Sequence, residues 1–564
     1  MTTDWFSAWD RTLEAANAWA AGVTKTQEAT LAAATRHVEL MTNTYARLWG
    51  REAQDAVPAD RRFKEDAWRE NPAFDLMKQI YLITARWMVD MTDGLEEASP
   101  DLHKRLKFWT QQYADAMSPT NFAATNPEVL QEIMRTGGTN IAAGMQNLFS
   151  DLQKGRVSMV PEGSFEVGKD LAATPGKVVY RNPLIELIQY EPTTKKVREV
   201  PILSIPPWIN KYYVMDMRPE NSMYRYLVDS GFTVFTISWK NPDESVLDLE
   251  WADYMEMGPV EALRVVKAIT GADRVNVVGY CLGGIAEQVT LAYLEALGDG
   301  GAVSGPDPME LTAGLPEVNT ATYFATHQDF ADVGDVEVFL SEPEVRFLEW
   351  LMEASGGYLD GRNMAATFNM LRANDLLWHY VVHNYLMGKE PPAFDLLYWN
   401  SDGTRVPGKV HSFLIREFFL ENRLKEPEGI KVRGVGIDTR RITVPTYAVA
   451  CSTDHIVPWR GASKIREMLG GPVRFVLAES GHIAGIINHP AKKKRAYWLN
   501  EAEDAQTLPP DEWLDKATKH EGSWWLDWLP WLEGHSGQLA KPPSMGNETY
   551  RPIMDAPGSY VLER

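Results

Sequence analysis

The first 170 residues carry the hydrophobic pattern of amphipathic helices. Alanine is frequent there and glycine is sparse. Apolar residues recur at spacings of three and four, which places them on one face of a helix. The clearest series consists of Trp5, Trp9, Leu13, Ala16, Ala20 and Val23. We predict a mostly helical N-terminal domain over residues 1–170, without a catalytic motif, that serves in packing, dimerisation or docking.

The pattern changes near Pro175 and Gly176, where short apolar runs begin to alternate with helical stretches. Strands are predicted at residues 200–205, 233–238, 275–278, 321–325, 446–450 and 474–477. Helices are predicted at residues 260–269, 285–297, 460–468 and 490–498. This alternation predicts an α/β domain over residues 171–564, with a mostly parallel sheet covered by helices on both faces.

A long aromatic segment interrupts that alternation. Residues 327–440 are rich in aromatic side chains and helical patterns, and they separate the predicted strands near 323 and 448. We interpret the segment as a cap inserted over the carboxyl edge of the sheet, where folds of this kind place their sites. The glycine-, proline- and acid-rich stretch from Gly298 to Gly314 is interpreted as an exposed loop.

Charge and cysteine content narrow the class of protein. The formal net charge is −21, which argues against a nucleic-acid backbone as the main partner. The two cysteines, Cys281 and Cys451, suit a reducing compartment. We expect no signal peptide, because the N-terminus lacks a basic region followed by an apolar core. No apolar run approaches the ~18 residues of a membrane span, so we expect a cytoplasmic protein.

The most specific motif is a nucleophile elbow that carries cysteine. The β-branched run 274–278 leads into Gly279-Tyr280-Cys281-Leu282-Gly283-Gly284, after which a helical pattern begins. A strand that runs through G-x-C-x-G into a helix holds its nucleophile on a strained turn, where neighbouring side chains would collide. The helix N-terminus favours a thiolate. Cys281 is the predicted nucleophile, and Cys451 is predicted to pack in the core.

An acid and a base follow in the chain order nucleophile, acid, histidine that is typical of such enzymes. Asp454 follows the predicted strand 446–450, and His482 follows the next strand, 474–477. We predict Asp454 as the acid and His482 as the base. His455 is an alternative base, although adjacent loop residues usually point apart. His489 is predicted to cap the helix that begins after it.

The oxyanion of the reaction needs two backbone donors. Leu282, directly after the nucleophile, is predicted to supply one. The loop 206–210 after an early strand is predicted to supply the other, from Trp208 or Ile209, because the prolines before them cannot donate. We predict the backbone N–H groups of Leu282 and Ile209 as the two oxyanion donors.

No metal site or bound cofactor is predicted. His379 and His383 have the spacing of a helical metal pair, but no third ligand is evident. The basic run 492–495 is interpreted as a solvated helix face, with attraction of an anionic thioester carrier as the alternative.

Cysteine also indicates the kind of reaction. A thioester intermediate keeps an acyl group activated, so its transfer to an alcohol is downhill, provided that water is excluded. The residues therefore favour an acyltransferase that moves acyl groups from a thioester to a hydroxyl.

Nine motifs together resemble the polyhydroxyalkanoate synthase family. They span about residues 170–530 and are PPWINK (206–211), RPENS (218–222), SWKNP (238–242), GYCLGG (279–284), NDL (374–376), FDLLYWN (394–400), DHIVPW (454–459), SGHIAG (480–485) and GSWW (522–525). The resemblance implies an α/β-hydrolase fold in which Cys281 carries the acyl group, His482 is the general base and Asp454 is its partner.

The resemblance also implies a substrate and partners. The family polymerises (R)-3-hydroxyacyl-CoA and releases coenzyme A, which is part of the substrate and not a cofactor. A chain of this length resembles class I, which favours short monomers such as 3-hydroxybutyryl-CoA. Homodimers and attachment to the growing polyester granule are expected. The alternatives are a polyester depolymerase or thioesterase on the same fold, and a non-catalytic granule protein.

Overall fold

A computed structural model describes residues 3–48, 58–97, 99–298 and 308–564, with the side chains of 3–16, 19, 47, 48 and 308 left out of the description. The chain forms two units. The helical unit consists of Met1–Pro161 together with Ala366–Ala393. The sheet unit consists of Glu162–Ala365 together with Phe394–Arg564. The division falls at 161 instead of 170, and part of the predicted cap belongs to the helical unit.

The helical unit is built from long helices with well-defined ends. Asn126 caps one helix by accepting the backbone N–H groups of Glu128 and Val129, and Gly137 ends it in the left-handed conformation. Trp68 is fully buried at the centre of the unit, where its ring meets Phe63 edge-on. The main helices are Thr3–Leu48, Pro72–Thr92, Pro100–Ala116, Pro127–Thr136 and Thr139–Lys154.

The inserted segment Ala366–Ala393 packs closely within this unit. It contains two π-helical turns, Asn374–Trp378 and Val381–Leu386. A Cβ on Gly144 would lie 1.8 Å from the carbonyl oxygen of Tyr385, so only glycine allows this approach. The backbone is also held by a side chain of the first segment, since the Asn140 amide donates to the Leu386 carbonyl at 2.9 Å.

The sheet unit is organised around one eleven-stranded sheet. Its strands, in chain order, are β1 Gly176–Arg181, β2 Ile185–Tyr190, β3 Ile202–Ile205, β4 Val234–Trp239, β5 Arg274–Tyr280, β6 Glu317–Phe324, β7 Thr446–Cys451, β8 Val473–Ala478, β9 Ala496–Leu499, β10 Thr518–Glu521 and β11 Met554–Asp555. Across the sheet the order is β10-β9-β8-β7-β6-β5-β3-β4-β2-β1-β11.

The central strands β4, β3, β5, β6, β7 and β8 are parallel to one another. The strand β2 runs antiparallel to both β1 and β4. In the register of β5 with β6, Tyr280 lies opposite Phe324, and Phe324 in turn lies opposite Val449 of β7. The ends of these three neighbouring strands are therefore level, and the loops that follow them meet at one edge.

Helices pack against the sheet, and two small two-stranded antiparallel sheets lie in the remaining parts of the predicted cap. The main helices and π-turns of this unit are Met223–Asp229, Trp251–Met255, Glu256–Val260, Glu261–Thr270, Leu282–Gly298, Pro308–Thr312, Glu342–Ala354, Asp395–Asn400, Gly408–Phe413, Leu414–Leu420, Trp459–Ala462, Ile465–Met468, Pro510–Asp515 and Trp525–His535. The helix Gly361–Leu371 spans the division between the two units. None of the helices in the described ranges is both long and apolar enough to cross a membrane.

The predicted strands are all present, but one predicted helix is wrong. Residues 490–498 form a short 3₁₀ turn, Pro490–Lys492, and then the strand β9. Lys493 and Arg495 have positive φ angles, which a continuous helix does not allow. Of the predicted loop from Gly298 to Gly314, residues 299–307 lie outside the described residues, and Pro308–Thr312 is a helix.

We expect Gly283→Ala to destabilise the protein. A Cβ at Gly283 would lie 1.9 Å from the carbonyl oxygen of Ile205 at the end of β3, and overpacking against rigid backbone costs about 3 kcal/mol. The melting temperature should fall by at least about 5 °C. Gly298→Ala is the matched control at the other end of the same helix, because its Cβ would meet nothing within 4 Å. Equal melting temperatures for the two variants would contradict the close approach.

Candidate active site

Cys281 occupies a strained turn between β5 and the helix Leu282–Gly298. Its φ angle is +54°, in the left-handed region that non-glycine residues rarely adopt. The turn is fixed from both sides. The Cys281 N–H donates to the Phe324 carbonyl at 2.9 Å, and the Cys281 carbonyl accepts from Gly284 at 3.0 Å. The side chain is partly exposed, as a nucleophile must be.

The glycines of the motif are required by the closeness of the chain around this turn. A Cβ on Gly279 would lie 2.5 Å from the Cα of Gly284. A Cβ on Gly284 would lie 2.1 Å from the hydroxyl oxygen of Thr326, in the loop after β6. The nucleophile turn is thus packed against the neighbouring strand ends, which holds Cys281 in its strained conformation.

Asp454 and His482 are hydrogen-bonded to one another at the same edge. The Nδ1 of His482 lies 2.7 Å from Oδ2 of Asp454. The other carboxylate oxygen accepts the backbone N–H groups of Ile456 and Val457, both at 2.9 Å. Because an ionised carboxylate only accepts, Nδ1 carries the proton and Nε2 is the nitrogen that can take one from the thiol.

The charges of this buried pair support one another. Burial raises the pKa of Asp454, but the His482 charge and the hydrogen bonds to the carboxylate outweigh burial and hold the pKa below its usual value. Burial lowers the pKa of His482, and the negative charges of Asp454 and Cys281 together raise it well above its usual value. The imidazole therefore favours its protonated form.

The structure brings the three predicted catalytic side chains together. Cys281 is close enough for a hydrogen bond to contribute to the raised pKa of His482. The ring of Tyr280 lies beneath the imidazole, with the ring centroids 5.4 Å apart. His455, the alternative base, adjoins Asp454, but it is His482 that makes the bond with the carboxylate.

The predicted oxyanion donors lie on two backbones in close contact. The N–H of Leu282 is in the first turn of its helix, where N–H groups have no intrahelical partner. A Cβ on Gly283 would lie 2.7 Å from the Pro206 carbonyl carbon, so the loop after β3 reaches this turn. Ile209 lies farther along that loop, and its carbonyl accepts from Thr404. Its donor role stays a prediction.

The remaining cysteine and histidines named in the sequence analysis have other surroundings. Cys451 is fully buried, and burial raises the pKa of its thiol well above its usual value. His489 accepts from the Ala491 N–H at 3.2 Å and so caps the 3₁₀ turn Pro490–Lys492, which stands where a helix was predicted. His379 and His383 are in the helical unit, with ring centroids 5.9 Å apart. No group of three or more metal-ligating side chains comes together within the described ranges.

Two polar residues near the site were missed by the sequence reading. His327 and Gln328 follow β6 and are almost completely buried. The predicted cap begins at residue 327, so the sequence pattern assigns both residues to an aromatic insertion. A usable signal was present, because polar residues that follow a strand between the nucleophile strand and the acid strand fall at the carboxyl edge.

Fold and site together define the class of protein. The sheet, from β1 to β8, has the order β1-β2-β4-β3-β5-β6-β7-β8, with β2 antiparallel. Cys281, the predicted nucleophile, follows β5, Asp454, the predicted acid, follows β7, and His482, the predicted base, follows β8. This is an α/β-hydrolase fold with a cysteine elbow.

Comparison with known proteins identifies the family. Residues 59–227 match the family model described as poly-beta-hydroxybutyrate polymerase (PhaC) N-terminus. The chain is 42% identical over 527 residues to the poly(3-hydroxyalkanoate) polymerase subunit PhaC of Cupriavidus necator, covering 92% of this chain and 86% of that protein. It is 40% identical to the poly(3-hydroxyalkanoate) polymerase of Methylorubrum extorquens, covering 93% and 84%. The chain belongs to the poly(3-hydroxyalkanoate) polymerase family, and it is an enzyme of the acyltransferase type.

We expect His482→Gln to slow alkylation of Cys281 by iodoacetamide about tenfold near neutral pH. The imidazolium that stabilises the thiolate is lost in this variant, and only the thiolate reacts. Peptide mass spectrometry measures the rate at each cysteine. Cys451 is an internal control, because its burial should keep it unreactive in both proteins. A Cys281 rate that is unchanged by the substitution would contradict the proposed pairing of thiolate and imidazolium.

Proposed function

We propose that this enzyme polymerises (R)-3-hydroxyacyl-CoA into polyhydroxyalkanoate, with release of coenzyme A, through a thioester on Cys281. The observation that carries the proposal is the cysteine elbow beside the hydrogen-bonded pair of His482 and Asp454. This arrangement occurs in a chain that is 42% identical to a poly(3-hydroxyalkanoate) polymerase. A nucleophilic cysteine suits transfer from one thioester, through another, to a hydroxyl.

In the first half of the cycle the acyl group moves from coenzyme A to the enzyme. His482 takes the thiol proton, and the sulfur of Cys281 forms a bond to the thioester carbonyl carbon. The backbone N–H groups of Leu282 and Ile209 stabilise the oxyanion. The bond between that carbon and the coenzyme A sulfur then breaks, and coenzyme A leaves as a thiol with the proton from His482.

In the second half the 3-hydroxyl group of the next acyl-CoA attacks the enzyme thioester. His482, held by Asp454, accepts the proton of the 3-hydroxyl group while its oxygen bonds to the carbonyl carbon. The bond from that carbon to Cys281 breaks, and the thiolate regains its pairing with the imidazolium. The product is an ester that is one unit longer and still carries coenzyme A at its thioester end. Cys281 attacks that thioester as in the first half, so that the chain returns to the enzyme and coenzyme A is released.

An aromatic cluster supports the exclusion of water that this chemistry requires. Trp208, in the loop after β3, packs edge-on against Trp239 and Trp251, with centroid distances of 5.9 and 5.3 Å. The indole of Trp239 donates to the Pro206 carbonyl at 2.8 Å, in the loop that meets Gly283. A water-poor site beside the turn protects a thioester from hydrolysis.

Association with polyester granules and a homodimeric state are part of the proposal. Apolar side chains exposed on the first helix, among them Leu31, Val38 and Met41, support an apolar partner for the helical unit. The homodimer rests on the resemblance alone. The enzyme is proposed to work in the cytoplasm at the granule surface.

We expect Cys281→Ala to abolish polymer formation from (R)-3-hydroxybutyryl-CoA, with turnover reduced by more than about 10³-fold. Cys281→Ser should be strongly impaired, because an oxoester holds the acyl group in a less activated form. Coenzyme A release and the mass of recovered polymer are measured together.

Cys451→Ala is the matched control for the loss of a thiol and should retain most of its activity, since the Cys451 thiol is fully buried and its burial keeps it protonated. Sustained turnover by Cys281→Ala would remove the proposed nucleophile. Release of coenzyme A by the unaltered enzyme with free acid and no polymer would instead indicate a thioesterase.

We expect coenzyme A release to be fastest for the four-carbon substrate and to fall as the acyl chain grows to ten carbons. The expectation follows from the resemblance to the class that uses short monomers. The measurement is kcat/KM for a series of (R)-3-hydroxyacyl-CoA substrates under one set of conditions. A maximum at eight or ten carbons would overturn the short-chain assignment.

A further inference from the structure

His327 lies at the centre of the catalytic edge. It follows β6, which lies between the nucleophile strand β5 and the acid strand β7. Phe324, at the end of β6, accepts the N–H of Cys281, and Ala325 donates to Val449 of β7. His327 is two residues beyond Ala325, so the backbone leads directly from the nucleophile turn to this side chain.

The polar side chains of His327 and of its neighbour Gln328 are buried and have no side-chain partners. His327 is 4% exposed and Gln328 is 1% exposed. Neither end of the amide makes a hydrogen bond, and the imidazole has only a backbone contact with Ile456, which raises its pKa but lacks hydrogen-bond geometry. Each buried polar group left in this state costs about 1–3 kcal/mol, so an apolar pair of similar size would give a more stable protein. Such groups persist in folded proteins where function requires them.

The surroundings of His327 combine aromatic packing with the charges of the active site. Its ring stacks on Phe330 at 4.9 Å and meets Phe419 edge-on at 5.4 Å. Burial lowers its pKa to about 4, while Asp454 raises it and His482 lowers it further. The imidazole is therefore neutral near pH 7 and presents one donor and one acceptor. The neighbouring Thr326 meets Gly284 of the nucleophile turn, and Ile456, whose backbone His327 contacts, donates to Asp454.

We infer that His327 and Gln328 hydrogen-bond the 3-hydroxyl group of the acyl unit held on Cys281, an assignment that rests on the proposed function. A hydroxyl both donates and accepts, and a neutral imidazole and an amide each offer the complementary groups. The hydroxyl of a 3-hydroxyacyl unit is two carbons from the carbonyl that is bonded to the sulfur. The aromatic rings around His327 provide an apolar wall for the same acyl chain.

A site built to bind a hydroxyl discriminates against a substrate that lacks it, because the polar groups of the site then remain unpaired. The test compares (R)-3-hydroxybutyryl-CoA with butyryl-CoA, which lacks only the hydroxyl. For each, the second-order rate constant for the first equivalent of coenzyme A released is measured. His327→Leu should lower the constant for the hydroxylated substrate about tenfold and leave that for butyryl-CoA within about twofold.

Two further variants separate this role from a structural one. His327→Gln retains a donor and an acceptor and should recover much of the discrimination. His411→Leu is the matched control, since His411 is also buried with its pKa lowered to about 4 and an unpartnered ring nitrogen, but neither catalytic side chain acts on it. It should leave the ratio of the two rate constants unchanged.

A proportional loss for both substrates in His327→Leu would overturn the inference, as would an unchanged ratio or an unaltered enzyme that does not distinguish the substrates. The melting temperature of His327→Leu should be equal to or above that of the unaltered enzyme, since an unpaired polar group is removed. Failure of the proposed function can be distinguished from failure of this inference. It would appear as turnover by Cys281→Ala or as hydrolysis without polymer.

Discussion

The contact on which the site depends is the close packing of the nucleophile turn against the ends of its neighbouring strands. The strained residue of this turn is Cys281, because its φ of +54° is one that residues other than glycine rarely adopt. Strain of this kind costs about 1–3 kcal/mol and persists only where the surroundings over-determine it. Here the surroundings are backbone atoms of β3 and a side chain after β6. The same parallel register that aligns these strands also brings the loops with the acid and the histidine to the nucleophile.

Much of this arrangement is predictable from sequence because it is local. The central strands are short β-branched runs, and the G-x-C-x-G motif joins one of them to a helix within six residues. The outer strands were not predicted, and β2 shows why. It buries Glu186, which is paired with Arg181 and accepts from the Ser559 hydroxyl at 2.7 Å. Ser559 lies far from Glu186 in the sequence, so the residues around β2 do not indicate that Glu186 is buried.

The site was predictable to the extent that each residue follows its own strand. Cys281, Asp454 and His482 could be identified because motif order and strand position agree. His327 was harder to single out, because an aromatic stretch begins there and the local pattern favours an insertion, so that only its position after a predicted strand pointed to the carboxyl edge. Its burial and its place between the strands of Cys281 and Asp454 required three-dimensional information. The charge of the pair His482 and Asp454 likewise depends on burial and not on spacing.

The placement of Ala366–Ala393 with the N-terminal helices has a consequence for how the chain can be divided. The polypeptide passes between the two units three times, after residues 161, 365 and 393. Removal of residues 1–161 would remove Gly144 and Asn140, against which the segment Ala366–Ala393 packs. The remaining enzyme would then contain a helical insert without the helices that it contacts. A fragment or chimera that is meant to keep either unit whole has to carry both segments of the helical unit, joined by a new linker or exchanged together.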